Sequence, residues 1–305
     1  MPTGKFFFTF AEKYLSMIID KLFSQVADKG NVCLGLDTDY QYLPADFAAQ
    51  YSGIGEGLFA FNKKIIDATQ DIVACYKVQI AYYEAYGLEG MEAYKKTLAY
   101  LRDTRNLIIA DVKRGDIAKT AEMYAKAHFS GDFESDFMTI NPYMGLDSIT
   151  PYLPYLKDQH KGLFVLVRTS NEGAKDFEYL EVGNDKRLYN VVGEKINELG
   201  KEYMGKCGFS SIGGVMGCTH ADEAREVRRT LDSTFFLIPG YGAQGGKAED
   251  IALYLRDGNG GVVNASRSIL LAYKKEENGT GDFAAASRKE ALRMRDEIRN
   301  AVQHQ

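Results

Sequence analysis

Residues 106–124 read NLIIADVKRGDIAKTAEMY. A β-branched apolar run ends at Asp111, sets Asp111, Lys113 and Asp116 within six residues, and turns into a helical pattern. A buried strand running straight into a helix is half of a strand–helix–strand unit. The next apolar run, FMTINP (137–142), supplies the returning strand. Two bland readings of the charges stand beside any functional one. Asp111 and Lys113 make a solvated ion pair worth ~0–1 kcal/mol, or Asp116 serves only as the N-cap of the following helix.

The same unit recurs along the chain. NVCLGLD (31–37), CYKVQI (75–80), NLIIADVK (106–113), FMTINP (137–142), GLFVLVRTS (162–170), SIGGVMGCT (211–219), TFFLIPG (234–240) and GVVNAS (261–266) read as eight strands. Helical patterns such as GLFAFNKKIIDATQ, MEAYKKTLAYLRD, NVVGEKINELGKEYM and KAEDIALYLRDG lie between them, and a closing helix runs to about residue 302. Strands that are apolar on both faces and alternate with helices imply a parallel sheet covered on both sides. Eight such units predict a single α/β domain over 1–305, a (β/α)8 TIM barrel from about residue 31, preceded by an additional N-terminal helix over about 6–29. The longest irregular stretch is NEGAKDFEYLEVGNDKRL (171–188), of a length usually functional or mobile in a compact domain.

Composition narrows the classes. A formal net charge of −5 gives no basic signal for nucleic acid. No stretch approaches a membrane span, and the short apolar patch at the start is broken by Glu12 and Lys13, so a soluble, cytoplasmic protein is expected. Cys33, Cys75, Cys207 and Cys218 are scattered, three of them in apolar strand-like runs, which fits small buried side chains in a reducing compartment. His128, His160, His220 and His304 follow no metal-ligand spacing.

In such a barrel, polar residues at the C-terminal ends of strands form the active site. Here those ends carry Asp37, Lys77 with Gln79, Asp111 with Lys113, Asn141, Arg168 to Asn171, Gly240 to Gly246, and Asn264 to Arg267. Strand alternation puts Asp111 and Lys113 on one face and Val112 on the other, and likewise pairs Lys77 with Gln79. Pointed inward, two lysines and two carboxylates meet in one cavity. PGYGAQGG (239–246) contains a formal G-x-G-x-x-G, the mark of a dinucleotide fold when it opens a domain. After a seventh strand it fits better as the phosphate site that barrels build beyond strands seven and eight, with Arg267 adding a charge-assisted contact. A tight turn alone is the plain alternative. RTSN (168–171) reads equally as a turn or as hydroxyls lining the mouth.

Taken together, LGLDTD, YKVQIAYYEAYG, IADVKRGDIAKTAEMYA, TINPYMGLDSITPYL, LVRTSN, PGYGAQGG and VNASRSI resemble the orotidine 5′-phosphate decarboxylase family, in its longer bacterial type. The bare D-x-K-x-x-D pattern arises by chance in on the order of one in twenty chains of average composition; joined to the other blocks in order it is specific. The resemblance implies conversion of orotidine 5′-monophosphate to uridine 5′-monophosphate in pyrimidine biosynthesis, with no cofactor and no metal. It implies that Lys77, Asp111, Lys113 and Asp116 form an alternating charge network. Asp116, Ile117 and Thr120 would come from a partner subunit, making a homodimer with composite sites. Asp37 and Lys77 would meet ribose hydroxyls. Ser170, with Thr169, would read the pyrimidine, and Pro239 would line its pocket. Gln244 would bridge to the phosphate, and Arg267 would grip it. Gln79 and Ser266 stand where relatives carry other residues, Ser266 where many have glycine.

Chemistry agrees with that expectation. Loss of CO2 from C6 leaves charge on a ring carbon with no electron sink, and a fixed ammonium there can stabilise it and deliver a proton. Lys113 is the candidate, with Asp111 and Asp116 positioning it. Three rivals remain from sequence: a metal-dependent sugar-phosphate decarboxylase or aldolase sharing D-x-K-x-x-D, a nicotinamide-dependent dehydrogenase, and an inactive nucleotide-binding protein. The first places a glutamate metal ligand on the second strand, where this chain has Lys77, and an ammonium would repel Mg2+.

Overall fold

The computed structural model describes residues 17–218, 221–242, 246–275 and 282–304. Eight parallel strands close into a barrel in chain order, β1 (Val32–Gly35), β2 (Cys75–Gln79), β3 (Ile108–Arg114), β4 (Phe137–Ile140), β5 (Gly162–Arg168), β6 (Ser210–Met216), β7 (Thr234–Ile238) and β8 (Gly261–Ala265), with β8 pairing β1. Among the described residues, nine helices form the main cover: α1 (Ile18–Lys29), α2 (Ile54–Thr69), α3 (Gly87–Asp103), α4 (Ala118–Phe129), α5 (Leu153–Asp158), α6 (Leu188–Gly200), α7 (Ala221–Thr230), α8 (Ala248–Ala252) and α9 (Phe283–Gln303). Each strand from β1 to β8 is thus followed by a helix, as expected, and α1 precedes the barrel. The expected helix over 6–29 is seen from residue 18; residues 6–16 lie outside the described residues. The helix expected around KAEDIALYLRDG is short, ending at Ala252 before the turns near Arg256.

Pleat alternation sorts the strand side chains into two apolar clusters. Val32, Leu34, Tyr76, Val78, Ile108, Ala110, Met138 and Ile140 face the helices. Cys33, Cys75, Ile109, Phe137, Phe164, Phe235 and Val262 fill the interior, where Ile18, Ile19, Leu22 and Val26 of α1 join them. Each fully buried Phe contributes about 1.5–3 kcal/mol, and α1 is amphipathic because those four residues share one face. The interior is therefore apolar at the N-terminal ends of the strands, and the polar inward positions fall at the C-terminal ends. No described helix is long and apolar enough to cross a membrane.

The cysteines are free; Cys33, Cys75 and Cys218 are buried, while Cys207 is half-buried. His128 lies buried on α4, its Nδ1 without a hydrogen-bond partner among the described residues. Burial, helped by the nearby Arg114 charge, lowers its pKa from 6.5 to about 4. The unfolded chain therefore binds this proton more readily than the folded one. The neutral imidazole's contribution is full above about pH 6.5 and is lost as pH falls through 4, amounting to about 2 kcal/mol between pH 6.5 and 4.5. His128→Leu should flatten the fall of Tm over that interval in scanning calorimetry; a parallel fall in both proteins would show that the imidazole is not the source.

Candidate active site

Adjoining cavities of about 480 and 270 Å3 open at the C-terminal ends of the strands and share Lys77, Asp111, Lys113, Pro239 and Asn264 as walls. Asp111 is their centre. Its Oδ2 accepts from Lys77 Nζ at 2.9 Å and Gln79 Nε2 at 3.0 Å; its Oδ1 accepts from Lys113 Nζ at 2.6 Å and Thr139 Oγ1 at 2.9 Å. Only 6% of Asp111 is exposed, which excludes the solvated-pair reading. Burial by itself would raise its pKa; the Lys77 and Lys113 ammoniums outweigh burial and hold the carboxyl well below the usual range. Lys77 is buried too, and donates also to Asp37 Oδ1 at 2.9 Å. Burial opposes its charge, but Asp111 and Asp37 reverse the balance and raise its pKa above that of a free lysine.

Lys113 differs from Lys77 in that its side chain is about half exposed, 46%, and so reaches over the cavity. Its backbone has φ 42°, a left-handed conformation costly for a residue with a Cβ. Thr139 on β4 holds it there, since its Oγ1 accepts from both the Val112 and Lys113 amides at 3.0 and 2.9 Å while donating to Asp111. The β3–β4 register shifts between Ala110 and Arg114, where this clasp sits. On the β1 side, Ser266 Oγ donates to Asp37 Oδ2 at 2.8 Å. A Cβ at Gly35 would fall 1.9 Å from Ser266 Oγ, so glycine there lets β8 approach.

The mouth has two unlike halves. Residues at or near β8, β1, β2, β3 and β4 supply Asn264, Ser266, Asp37, Lys77, Gln79, Asp111, Lys113 and Thr139, while Leu166, Val215 and Leu237 of β5 to β7 face them with Pro239. Thr169 and Ser170 stand at the rim of the apolar half, and Arg267, exposed, at the rim of the other. Of the residues singled out from sequence, Asp37, Lys77, Gln79, Asp111, Lys113, Thr169, Ser170, Pro239, Ser266 and Arg267 meet around this space. Asp116, Ile117 and Thr120 line neither cavity; Asp116 accepts from the Ile117 amide and does not cap α4, whose N-cap is Ile117. Gln244 and His220 lie outside the described residues.

Arg168 does not line the mouth, although its place at a strand end suggested it. The β5–β6 register shifts between Leu166 and Arg168, and the guanidinium is fully buried against Glu223 Oε2 at 2.8 Å, the Gly217 carbonyl at 2.9 Å and the Tyr254 hydroxyl. Glu223 also takes Arg187 and the Tyr189 hydroxyl. The 171–188 stretch is accordingly pinned at its middle and its C-terminal end: Thr169 donates through its amide and hydroxyl to Glu178, and Arg187 holds to Glu223. It contains a short helix, Ala174–Phe177, and an antiparallel bridge from Glu181 to Arg187. Asn264, expected at the mouth from its strand end, lines both cavities, while Thr139 and Tyr82 are mouth residues that the sequence reading did not single out. Thr139 was readable, two positions beyond inward Phe137 on the same face.

The Orotidine 5′-phosphate decarboxylase / HUMPS family model matches residues 30–280. Orotidine 5′-phosphate decarboxylase of Clostridium perfringens (strain 13 / Type A) is 65% identical over 286 residues, covering 94% of this chain and 99% of that protein. The enzyme of Clostridium acetobutylicum is 62% identical, over 94% of this chain and the whole of its own. Among solved structures, Leishmania donovani OMP decarboxylase superposes with a TM-score of 0.74 at 28% identity, covering 94% of this chain and 99% of that one. Barrel, charged mouth and similarity over nearly the whole length agree, and the chain belongs to the orotidine 5′-phosphate decarboxylase / HUMPS family.

Proposed function

We propose that this chain is a carboxy-lyase that converts orotidine 5′-monophosphate to uridine 5′-monophosphate in the cytoplasm, without a cofactor, on one barrel domain. The observation that carries this reading is the clasp at Lys113: an ammonium 2.6 Å from a buried Asp111 and reaching over a cavity whose far wall is apolar. The C6–carboxylate bond breaks with its electron pair staying on C6, and CO2 leaves. Lys113 Nζ stabilises that pair and then transfers a proton to C6, and the neutral amine regains its proton from solvent. Asp111 holds the ammonium in place before the step. The pyrimidine lies against Leu166, Val215, Leu237 and Pro239, with Thr169 and Ser170 at its edge. Asp37 and Lys77 meet the ribose, while the glycine segment, Gln244 and Arg267 receive the phosphate.

Lys77 also argues for this branch of the family over its metal-dependent one. Its ammonium sits 2.9 Å from both Asp37 and Asp111, and its charge would repel a divalent cation from those two carboxylates. Gln79 and Ser266 serve as supports, the first bonded to Asp111 and the second to Asp37.

Asp116, Ile117 and Thr120 are assigned to the neighbouring site of a homodimer. Support comes from the exposed apolar side chains around them: Ile117 and Met123 on or beside α4, and Tyr143, Met144 and Leu146 on the β4 loop, which packs against α4. Mixing inactive Lys113→Ala and Asp116→Ala proteins should restore activity through hybrids carrying one intact site. No recovery after verified subunit exchange would remove the composite site.

The deciding experiment follows the ultraviolet absorbance of orotidine 5′-monophosphate on adding purified protein, with and without a chelator. Conversion indifferent to the chelator is expected. No conversion, or conversion lost to the chelator, would move the assignment to metal-dependent sugar-phosphate chemistry.

A further inference from the structure

A hollow of about 860 Å3 lies between the glycine-rich segment after β7 and α9, and it shares Tyr241 with the mouth. Tyr241 is the partition. It lines the mouth together with Pro239, Gly240 and Arg267, and it lines the hollow together with Gly242 and Gly246. The residue is 7% exposed, and its hydroxyl donates to Glu297 on α9. Arg293 grips Glu297 in turn and takes Glu290 through two further nitrogen contacts. The flanking Gly240 and Gly242 have φ of 102° and 69°, a region open to glycine at no steric cost. The Gly242 amide donates to the Gly246 carbonyl at 3.1 Å and the Gly246 amide to the Gly240 carbonyl at 3.2 Å, which ties these three glycines together. One anchored side chain therefore sets where a glycine-rich turn stands.

We propose that Tyr241 is a positioning residue: through Glu297 it anchors the glycine segment to the C-terminal helix and so holds the backbone that meets the substrate's phosphate beside Arg267. The inference rests on the phosphate placement proposed above. Glycine loses more conformational freedom on ordering than any other residue. An untethered segment would have to meet that cost at each binding event, whereas the tether settles it during folding. Burial and the Glu297 carboxylate both raise the Tyr241 pKa well above that of a free phenol, so the hydroxyl remains a donor across neutral pH.

The test uses the full-length protein with Tyr241→Phe, Glu297→Ala and the double variant. A hydrogen bond to a charged group carries enough that each single variant should raise KM for orotidine 5′-monophosphate about tenfold while kcat changes less than about twofold. Phosphate-free orotidine supplies the control: its kcat/KM should fall about fivefold less than that of the nucleotide. The double variant should be no worse than either single one, because both cut the same link. In ligand-free protein, hydrogen exchange at the Gly242 and Gly246 amides should quicken about tenfold in all three variants. Equal losses on nucleotide and nucleoside, or unchanged exchange at those amides, would overturn the proposal. Exchange needs no substrate, so it still decides the tether if the wild-type protein proves not to decarboxylate the nucleotide, a failure that would belong to the substrate reading alone.

Discussion

Lys113→Ala is expected to lower kcat by at least about ten-thousandfold, since in the proposed mechanism one group would both stabilise the forming charge and supply the proton. The protein should remain folded. Lys113 is about half exposed and its backbone is held by Thr139 through amides that the alanine variant keeps. Binding of uridine 5′-monophosphate should weaken only modestly, because the proposed ribose, base and phosphate contacts would fall to other residues. Asp111 would retain Lys77, Gln79 and Thr139 as donors, so the buried carboxylate would stay paired. Single-turnover decarboxylation followed by absorbance, with product binding measured separately, separates loss of chemistry from loss of the site. A variant turning over at an ordinary rate would end the assignment of Lys113 as proton donor.

The largest expected effect on stability falls outside the mouth, at Glu223→Ala. Arg168 is fully buried, and Glu223 is the carboxylate that faces it. Removing one partner of a buried pair leaves a desolvated charge and costs about 3–5 kcal/mol; the part of Glu223 still open to water places this site at the lower end, about 3. Arg187 and Tyr189 lose the same partner, so the 171–188 stretch should become more open to limited proteolysis as well. Urea denaturation measures the first effect. The double change Arg168→Met with Glu223→Leu should recover much of the loss, because an apolar pair of similar volume avoids the buried charge. A loss below about 1 kcal/mol would mean that solvent or the Gly217 carbonyl already satisfies Arg168.

The sequence was readable wherever one period governed the answer. Eight apolar runs at strand length, each followed by a helical pattern, specify a closed barrel, and the pleat alone brings Asp111 to Lys113 and Lys77 to Gln79. Departures from that period were not readable. The irregularity between Leu166 and Arg168 turns an arginine from the mouth into the helix layer, and nothing local in LVRTS announces it. Thr139 looked like one more β-branched strand residue. Its importance comes from Lys113 adopting φ 42°, a property of the folded backbone. Asp116 is legible only as a residue that one chain leaves unused, since its partner would belong to a second copy. The 171–188 stretch has no strong period, and its order comes from the contacts of Glu178 and Arg187 with residues outside it.

The floor of the barrel bears on how a reaction at its rim must end. Ile18, Ile19, Leu22 and Val26 of α1 close the N-terminal end against Phe137, Phe164 and Phe235, packing at the density of an organic crystal. The vessel is blind, with its mouth at the other end. In a decarboxylase built this way, gas and nucleotide share a doorway, and the nucleotide stands in it. Carbon dioxide is small and apolar, and the apolar wall of Leu166, Val215 and Leu237 would suit its passage out of the mouth if the base is held there as proposed. The sequence of departures, gas first and nucleotide after, would then be imposed by the closed floor as much as by the chemistry above it.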